Sequence, residues 1–337
     1  MLYEKNGYNK RSIASLTKMM TAIVTVENVK LDEVVEVKTG SNSIGGSTIG
    51  MKRGDNITVK ALLYGMLMES GNDCAYALAE YVGENVENFA KLMNEKAKEI
   101  GAKDSNFVTP HGLDMPDQYS TAYDIAMVTR YALNNKYINE IVGTNEINIL
   151  FGDVTKTFNN TNKLLRTYPN SDGVKTGFTN GANRCLIASA KKGDFRPIVV
   201  ILGAETTETR FGDAEKLLDY ALENYEIKDI SKNMNWYINI PVVKGTIDYY
   251  EKYMMGEMLV AMTAEEYEKI YVKQQLLPVI NAPLNKGYNL GNISIFVGNE
   301  EIYRKKIMLD INIYKKNIGD YMLESIKNIF ELNIDLI

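Results

Sequence analysis

The stretch SIASLTKMMTA, Ser12 to Ala22, constrains this chain more than any other. Ser15 and Lys18 stand three residues apart at the head of an apolar run, Leu16, Met19, Met20, Ile23 and Val24, whose spacing predicts a helix to about Val29. Positions three apart share a helical face, so the lysine amine lies within reach of the serine hydroxyl. The pair is a nucleophile beside a candidate base.

An isolated Ser-x-x-Lys reads most simply as a helix-start serine with a solvated lysine one turn on. Two further triplets change that reading: SGN at Ser70, Gly71 and Asn72, and KTG at Lys175, Thr176 and Gly177. Any given tripeptide has roughly a few per cent chance of occurring in a chain of this length, so two of them in order argue for one site. The chemistry fits acyl transfer. A serine hydroxyl is a weak nucleophile until a base takes its proton, and a lysine with the ordinary pKa of about 10.4 is protonated at neutral pH. Burial and a neighbouring cation both lower a lysine pKa, and Lys175 supplies the cation if its strand lies beside the Ser15 helix. Ser70 can relay a proton to a leaving amine, and Asn72 can hold Lys18 or a substrate amide. The strand edge at Lys175–Phe178 suits pairing with an extended peptide, leaving backbone N–H groups and the Thr176 hydroxyl free to bind it. The backbone amides of Ser15 and Phe178 are the natural oxyanion donors.

Composition excludes other classes. A net charge of −5, with no basic cluster interleaved with aromatics, gives no footprint for nucleic acid. Two cysteines, Cys74 and Cys185, and one histidine, His111, are too few for a cysteine/histidine zinc site, and no metal or cofactor is expected. A Cys74–Cys185 disulfide stays open at this point. His111, in TPHGLD, reads as a buried turn residue, and no GxSxG elbow presents a serine to it. No apolar run is long enough to span a bilayer. Met1 leads directly into LYEKN without a signal peptide, so the start reads as trimmed.

At 337 residues, two domains are expected. Leu2–Tyr8 reads as a strand and turn, Glu33–Val37 as a short strand, and Gly40–Gly54 as a Gly/Ser/Thr loop. Helices are expected from Thr58 into SGN, over Ala75–Val82, over Val86–Ile100, and from a Ser120 cap to Ala132. Phe107–Tyr119 is turn-rich, Ile147–Phe158 alternates like strand, and Lys163–Asp172 reads as a loop. Strands at VKTGFT, Cys185–Ala190 and Pro197–Ala204 follow, then a helix over Glu208–Tyr225. The fold class is α+β: an antiparallel sheet flanked by helices, the first strand returning to pair with the last ones. Domain boundaries fall at 1–226, a linker at 227–235, a small all-β domain at 236–313 with turns at Gly245, Gly256, Gly287 and Gly291, and an amphipathic tail at 314–337. Ile318, Met322, Ile326, Ile329 and Phe330 share one face of that tail, suited to a membrane interface or to packing on the chain's own β domain.

With SLTK, SGN and KTG in order, the chain resembles the penicillin-recognising serine enzymes. It looks most like the low-molecular-mass penicillin-binding proteins that are D-alanyl-D-alanine carboxypeptidases of the peptidase S11 family. LYEKN, IASLTKMMTA, ESGNDCAYALAE, TPHGLDMPDQYSTAYDIA and DGVKTGFTNGANRCLIASA carry the likeness over about Leu2–Tyr225, with little residue-level signal beyond. The resemblance implies Ser15 as the acylated nucleophile, Lys18 as its base, Ser70 and Asn72 as the second motif, and Lys175, Thr176 and Gly177 as the third. It also implies Arg210 near the substrate's terminal carboxylate, a task suited to a guanidinium's two parallel hydrogen bonds. The implied reaction removes the terminal D-alanine from peptidoglycan stem pentapeptides through an acyl-enzyme, outside the cytoplasmic membrane, and β-lactams would acylate the same serine. Phe178 stands where other members often carry a polar residue.

Three other readings compete. A class A β-lactamase shares the motifs but needs a glutamate to deacylate quickly, and no ExxLN-like segment lies between Asn72 and Lys175. A non-catalytic peptidoglycan-binding sensor or scaffold would not need every reactive side chain in place. Transpeptidation by the same acyl-enzyme differs only in whether an amine or water attacks it.

Overall fold

The computed structural model describes residues 1–233, 237–253 and 258–334. It divides into two compact units, Met1–Glu223 and Asn224–Ile337.

In the first unit a 3-10 turn, Ala14–Thr17, runs directly into α1, Lys18–Asn28. Every residue of α1 from Lys18 to Thr25 is buried. Apolar side chains all round its circumference make it a helix surrounded by others. Its neighbours are α2 (Val59–Met68), α3 (Asn72–Gly83), α4 (Val86–Ile100) and α5 (Ala122–Leu133). Caps set the starts of three of these: the Thr58, Asn85 and Thr121 side chains accept from the amides of Ala61, Asn88 and Asp124. α6 (Lys136–Gly143), α7 (Leu164–Thr167) and α8 (Thr207–Asn224) complete the helices of this region.

Strands β1 (Val34–Glu36) and β2 (Asn56–Thr58) pair antiparallel, and β3 (Glu146–Phe151) and β4 (Val154–Asn159) form a hairpin. The sheet that matters for the site has the order β5-β6-β7, from Ser171–Thr179, Asn183–Ala190 and Ile198–Ala204, antiparallel throughout. Both its faces are covered. Cys185 and Ile187 of β6 belong to the helical core, while Leu186, Ala188 and Ala190 pack with Phe211, Ala214 and Leu218 of α8. That is the period-2 alternation of a strand buried on both sides.

Four expectations are corrected here. Residues 1–10 form no strand. They make a turn at Asn6–Asn9 and reach the body of the unit through the Arg11–Ser120 bridge, with Tyr3 and Tyr8 exposed, so no first strand joins the described sheet. The helix cap is Thr121, not Ser120, whose hydroxyl pairs instead with Ser105. Residues 136–143, given no element in the sequence reading, form α6. Residues 227–233 of the expected linker are ordered as the end of a strand, β8 (Glu226–Asp229), and a 3-10 turn, because Ile230 is fully buried in the second core.

In the second unit β8 (Glu226–Asp229) pairs with β11 (Leu259–Met262), and β9 (Tyr237–Val243) lies between β10 (Tyr249–Tyr253) and β13 (Ile280–Asn281). β12 (Ile270–Leu276), β14 (Asn289–Val297) and β15 (Glu300–Met308) form a third sheet. Alternate residues of β9, Ile238, Ile240 and Val242, enter a core with Tyr250, Ile293 and Ile295. One short helix, α9 (Ala264–Glu268), interrupts the strands behind a Thr263 capping box. α10 (Ile318–Ile334) follows, with Ile318, Met322, Leu323 and Ile326 exposed. Trp236 and Gly256 lie outside the described residues, as do the side chains of Ile329 and Phe330.

α3 ends in close contact with α4. A Cβ added at Gly83 would lie 2.6 Å from the Phe89 amide nitrogen and 2.8 Å from its Cα, backbone that cannot swing away. Gly83→Ala should therefore destabilise the first unit by about 2–3 kcal/mol, read as a lower thermal unfolding midpoint. An unchanged midpoint would show that α3 and α4 separate freely.

Candidate active site

Ser15 sits in the 3-10 turn that leads into α1, preceded by Ala14 in the left-handed region at φ +49°. Such a conformation is strained for a residue with a Cβ, and it persists only where its surroundings hold it. The Lys18 amine lies 2.8 Å from Ser15 Oγ, 2.7 Å from Asn72 Oδ1 and 2.8 Å from the His111 carbonyl oxygen. Lys18 has 0% exposure. Desolvation, and then the charge of Lys175, hold its pKa well below 10.5, which favours the neutral amine.

The second motif is built by the α2–α3 turn. Ser70 is left-handed at φ +64°, and the Gly71 amide donates to the Gly65 carbonyl at 3.0 Å, so the chain doubles back on α2 before α3 begins. This brings Asn72 onto Lys18. Among the described residues the Ser70 hydroxyl makes no hydrogen bond to either lysine, so the expected relay is not connected to the pair. The Gly/Ser loop at 40–54 proves to be part of the site's frame. Asn72 Nδ2 donates to the Gly45 carbonyl at 2.9 Å and its amide to the Ser47 carbonyl at 2.7 Å. Asp73, fully buried, accepts from Ser41 Oγ, the Ile49 and Met51 amides and the Cys74 amide.

The third motif lies on β5. A Cβ at Gly177 would meet the Ser15 amide nitrogen at 3.1 Å and the Ile13 carbonyl at 3.3 Å, so this strand passes directly along the Ser15 turn. A side chain there would require the Ser15 turn to give by a few tenths of an ångström. Lys175 is 1% exposed; its amine donates to the Thr176 carbonyl at 2.8 Å, and burial, then the Arg210 charge, lower its pKa to about 7. Thr176 Oγ1 lies 2.7 Å from Thr161 Oγ1. Arg210, 9% exposed on α8, donates through one Nη to the Gly177 and Cys185 carbonyls, 3.3 Å each, which brings it to the KTG strand. The Phe178 side chain is exposed, with the Arg184 guanidinium 5.1 Å from its ring centroid.

Ser15, Lys18 and Asn72 thus meet directly, Gly177 lies against the Ser15 turn, and Arg210 reaches the same strand. Cys74 and Cys185 are free and buried. His111 is a buried turn residue whose Nδ1 accepts from the Leu113 amide, and its pKa falls to about 4 through burial and the nearby Lys18. The sequence reading missed that its carbonyl is a partner of Lys18; a backbone acceptor has no residue signature. Thr161, 15 residues before Thr176 and between the Ile147–Phe158 strand and the Lys163–Asp172 loop of the sequence reading, was missed too. Among the described residues no group of three His, Cys, Asp or Glu side chains could hold a metal ion.

A family model described as peptidase S11, D-alanyl-D-alanine carboxypeptidase, matches residues 1–206. The chain is 34% identical over 338 residues to the D-alanyl-D-alanine carboxypeptidase DacF of Bacillus subtilis, covering 95% of this chain and 86% of that protein. It is 33% identical over 326 residues to DacC of Escherichia coli, covering 93% and 81%. Among solved structures it is similar to penicillin-binding protein 5 from Haemophilus influenzae, with a TM-score of 0.81 at 27% identity, over 93% of this chain and 94% of that one. A half-buried Ser15 beside a fully buried Lys18, bounded by Asn72 and the KTG strand, is thus carried by a chain that belongs to the peptidase S11 family of D-alanyl-D-alanine carboxypeptidases.

Proposed function

We propose that this chain removes the terminal D-alanine from peptidoglycan stem pentapeptides through a Ser15 acyl-enzyme, and that β-lactams acylate the same serine. The observation that carries the reading is the Ser15 Oγ to Lys18 Nζ distance of 2.8 Å at a lysine with no solvent exposure. In the forward step the hydroxyl proton passes to Nζ while Oγ attacks the carbonyl of the penultimate residue. The amides of Ser15 and Phe178 take the developing oxyanion. The proton then goes to the leaving D-alanine nitrogen, with Ser70 as relay, and water repeats the sequence to free the enzyme. Thr176, the Lys175 cation and Arg210 hold the terminal carboxylate, and Gly177 gives the peptide access to the strand edge. A β-lactam follows the same path, except that its leaving nitrogen stays tethered to the acyl group.

The family's substrate lies outside the cytoplasmic membrane, so the reading carries an extracytoplasmic place of action, at the outer face of that membrane. Residues 1–226 are the catalytic part, residues 236–313 an accessory β-rich module, and the tail a surface anchor. The exposed Ile318, Met322, Leu323 and Ile326 support the last point, since an unpartnered apolar stripe on a helix suits an interface. Among the described residues no helix is long and apolar enough to cross a membrane.

Intact-mass spectrometry after benzylpenicillin should show one adduct of the drug's mass, absent in Ser15→Ala, and a peptide ending in D-Ala-D-Ala should release D-alanine. An adduct that vanishes within seconds without D-alanine release would favour a β-lactamase instead. No adduct would overturn Ser15 as the nucleophile.

Buried charge at Lys175 sets a second expectation. The unfolded chain keeps this proton up to about 10.5 and the folded chain loses it near 7. The resulting penalty is largest below pH 7 and fades as pH rises toward 10.5. Lys175→Met, which keeps the stem and removes the charge, should raise stability by on the order of 2–4 kcal/mol at pH 6 while abolishing D-alanine release. The gain should shrink at pH 9.5; a gain independent of pH would refute the electrostatic cause.

For the tail, sedimentation with phosphatidylglycerol-containing vesicles should carry the whole chain down and leave a variant lacking residues 318–337 in the supernatant. Equal partitioning of the two would remove the anchor reading.

A further inference from the structure

A neutral lysine amine has two N–H groups and one lone pair, whereas Lys18 has three neighbours at bonding distance. Two of the three can only accept. The His111 oxygen is a carbonyl, and the Asn72 amide is fixed in orientation because its Nδ2 donates to the Gly45 carbonyl, which leaves Oδ1 facing Lys18. These two acceptors take both N–H groups. The lone pair is left pointing at the third neighbour, the Ser15 hydroxyl, which must then donate its proton toward Nζ.

The aim of the base therefore depends on two acceptors, of which Asn72 belongs to a recognised triplet and the His111 carbonyl does not. Two side chains hold that carbonyl's turn. Gln118, 7% exposed, accepts through Oε1 from the amides of Val108 and Thr109 and from Thr109 Oγ1, at 3.1, 2.6 and 2.9 Å, and donates through Nε2 to the Leu113 carbonyl at 3.0 Å. One side chain thereby ties both ends of the Val108–Leu113 turn. Thr21, fully buried and one turn beyond Lys18 on the same face of α1, donates its hydroxyl to the Pro110 carbonyl at 2.6 Å. The neighbouring carbonyls Pro110 and His111 thus dock on Thr21 and Lys18. Gly112 closes the fit: it holds φ +87°, and a Cβ there would lie 2.0 Å from the Ala14 carbonyl oxygen.

We propose that Gln118 and Thr21 are positioning residues of the reaction, which aim the free electron pair of Lys18 at Ser15 by fixing the Pro110–His111 carbonyls. The inference rests on the acyl-enzyme reading above. The charged and titratable groups facing Lys18 are Lys175 from β5, Asp73 and Cys74 from α3, and His111 from the turn itself. None of them is altered in the variants that test it.

The test is the rate of Ser15 acylation by benzylpenicillin between pH 5.5 and 10 in the whole chain, with Thr21→Val, Thr21→Ser and Gln118→Met beside the wild type. Thr21→Val keeps the shape of the side chain and removes only the hydroxyl. It should lower the plateau acylation rate by about tenfold to a hundredfold, with the dissociation constant of the preceding non-covalent complex within about twofold of wild type. The loss should persist on the high-pH plateau, and the rising limb should move to lower pH, because a carbonyl holds an ammonium more strongly than an amine. Thr21→Ser should restore both. Gln118→Met should repeat the pattern, and if it fails to fold the threonine pair decides. A wild-type plateau in Thr21→Val, or a loss fully recovered by raising the pH, would overturn the proposal. No adduct in the wild type would instead overturn the acyl-enzyme reading.

Discussion

A lysine amine with no access to water is the constraint on which the rest of this site depends. Ordinarily such a group snorkels, burying its stem and keeping its head solvated, or it finds a carboxylate. Lys18 does neither. The carboxylate that acts on it is Asp73, and its oxygens are taken by Ser41, Ile49, Met51 and Cys74, which fasten the Gly/Ser loop to the start of α3. What Lys18 has are neutral acceptors, Asn72 Oδ1 and the His111 carbonyl. They orient an amine without neutralising an ammonium, so the cost of burial falls on the charged form.

The cations beyond it are arranged in series. Arg210 lowers the proton affinity of Lys175, and Lys175 lowers that of Lys18. Each is at most 9% exposed, so the repulsion acts with little screening by water. The chain bears this cost through the order of its elements: α8 brings Arg210 to β5, β5 passes the Ser15 turn at Gly177, and that turn opens α1. Chemistry and packing therefore share the same residues.

Much of this was legible in the sequence because it is written in side chains and in local spacing. Ser15 with Lys18, the SGN and KTG triplets, and helices such as Val86–Ile100 announce themselves through residue type or periodicity, whereas Arg210 is indicated by the family resemblance alone. The parts that were missed are carried by the backbone or by distant partners. The His111 carbonyl has no residue code. The Gly40–Gly54 loop gave no sign that Asp73 would organise it. Residues 136–143 became helix through Asn135 capping and the spacing of Ile138, Ile141 and Val142, too short a run to outweigh the strand signal after it. Residues 226–229 look polar, yet they pair with β11, and Ile230 anchors the turn behind them. The amino-terminal segment erred the other way: Leu2–Tyr8 was read as a strand entering a turn, but a strand does not form where no neighbour completes the ladder.

The surroundings also explain why the strain at the site does not relax. Ala14 and Ser70 are both left-handed, each beside a reactive group, and either could return to an ordinary conformation if its neighbours moved. They cannot move independently. Ala14 is 1% exposed, its carbonyl fills the space that a side chain at Gly112 would need, and α1 is enclosed by four helices from its first residue. Shifting the Ser15 turn would mean shifting α1, and shifting α1 would open the core of the whole unit. Close packing of that kind resists small adjustments, since even a methylene's change in volume is felt. The lysine can neither reach water nor draw water in without breaking the core, so of the two ways to remove a buried charge the loss of a proton is by far the cheaper. The helix at the centre of the unit is in this sense part of the base.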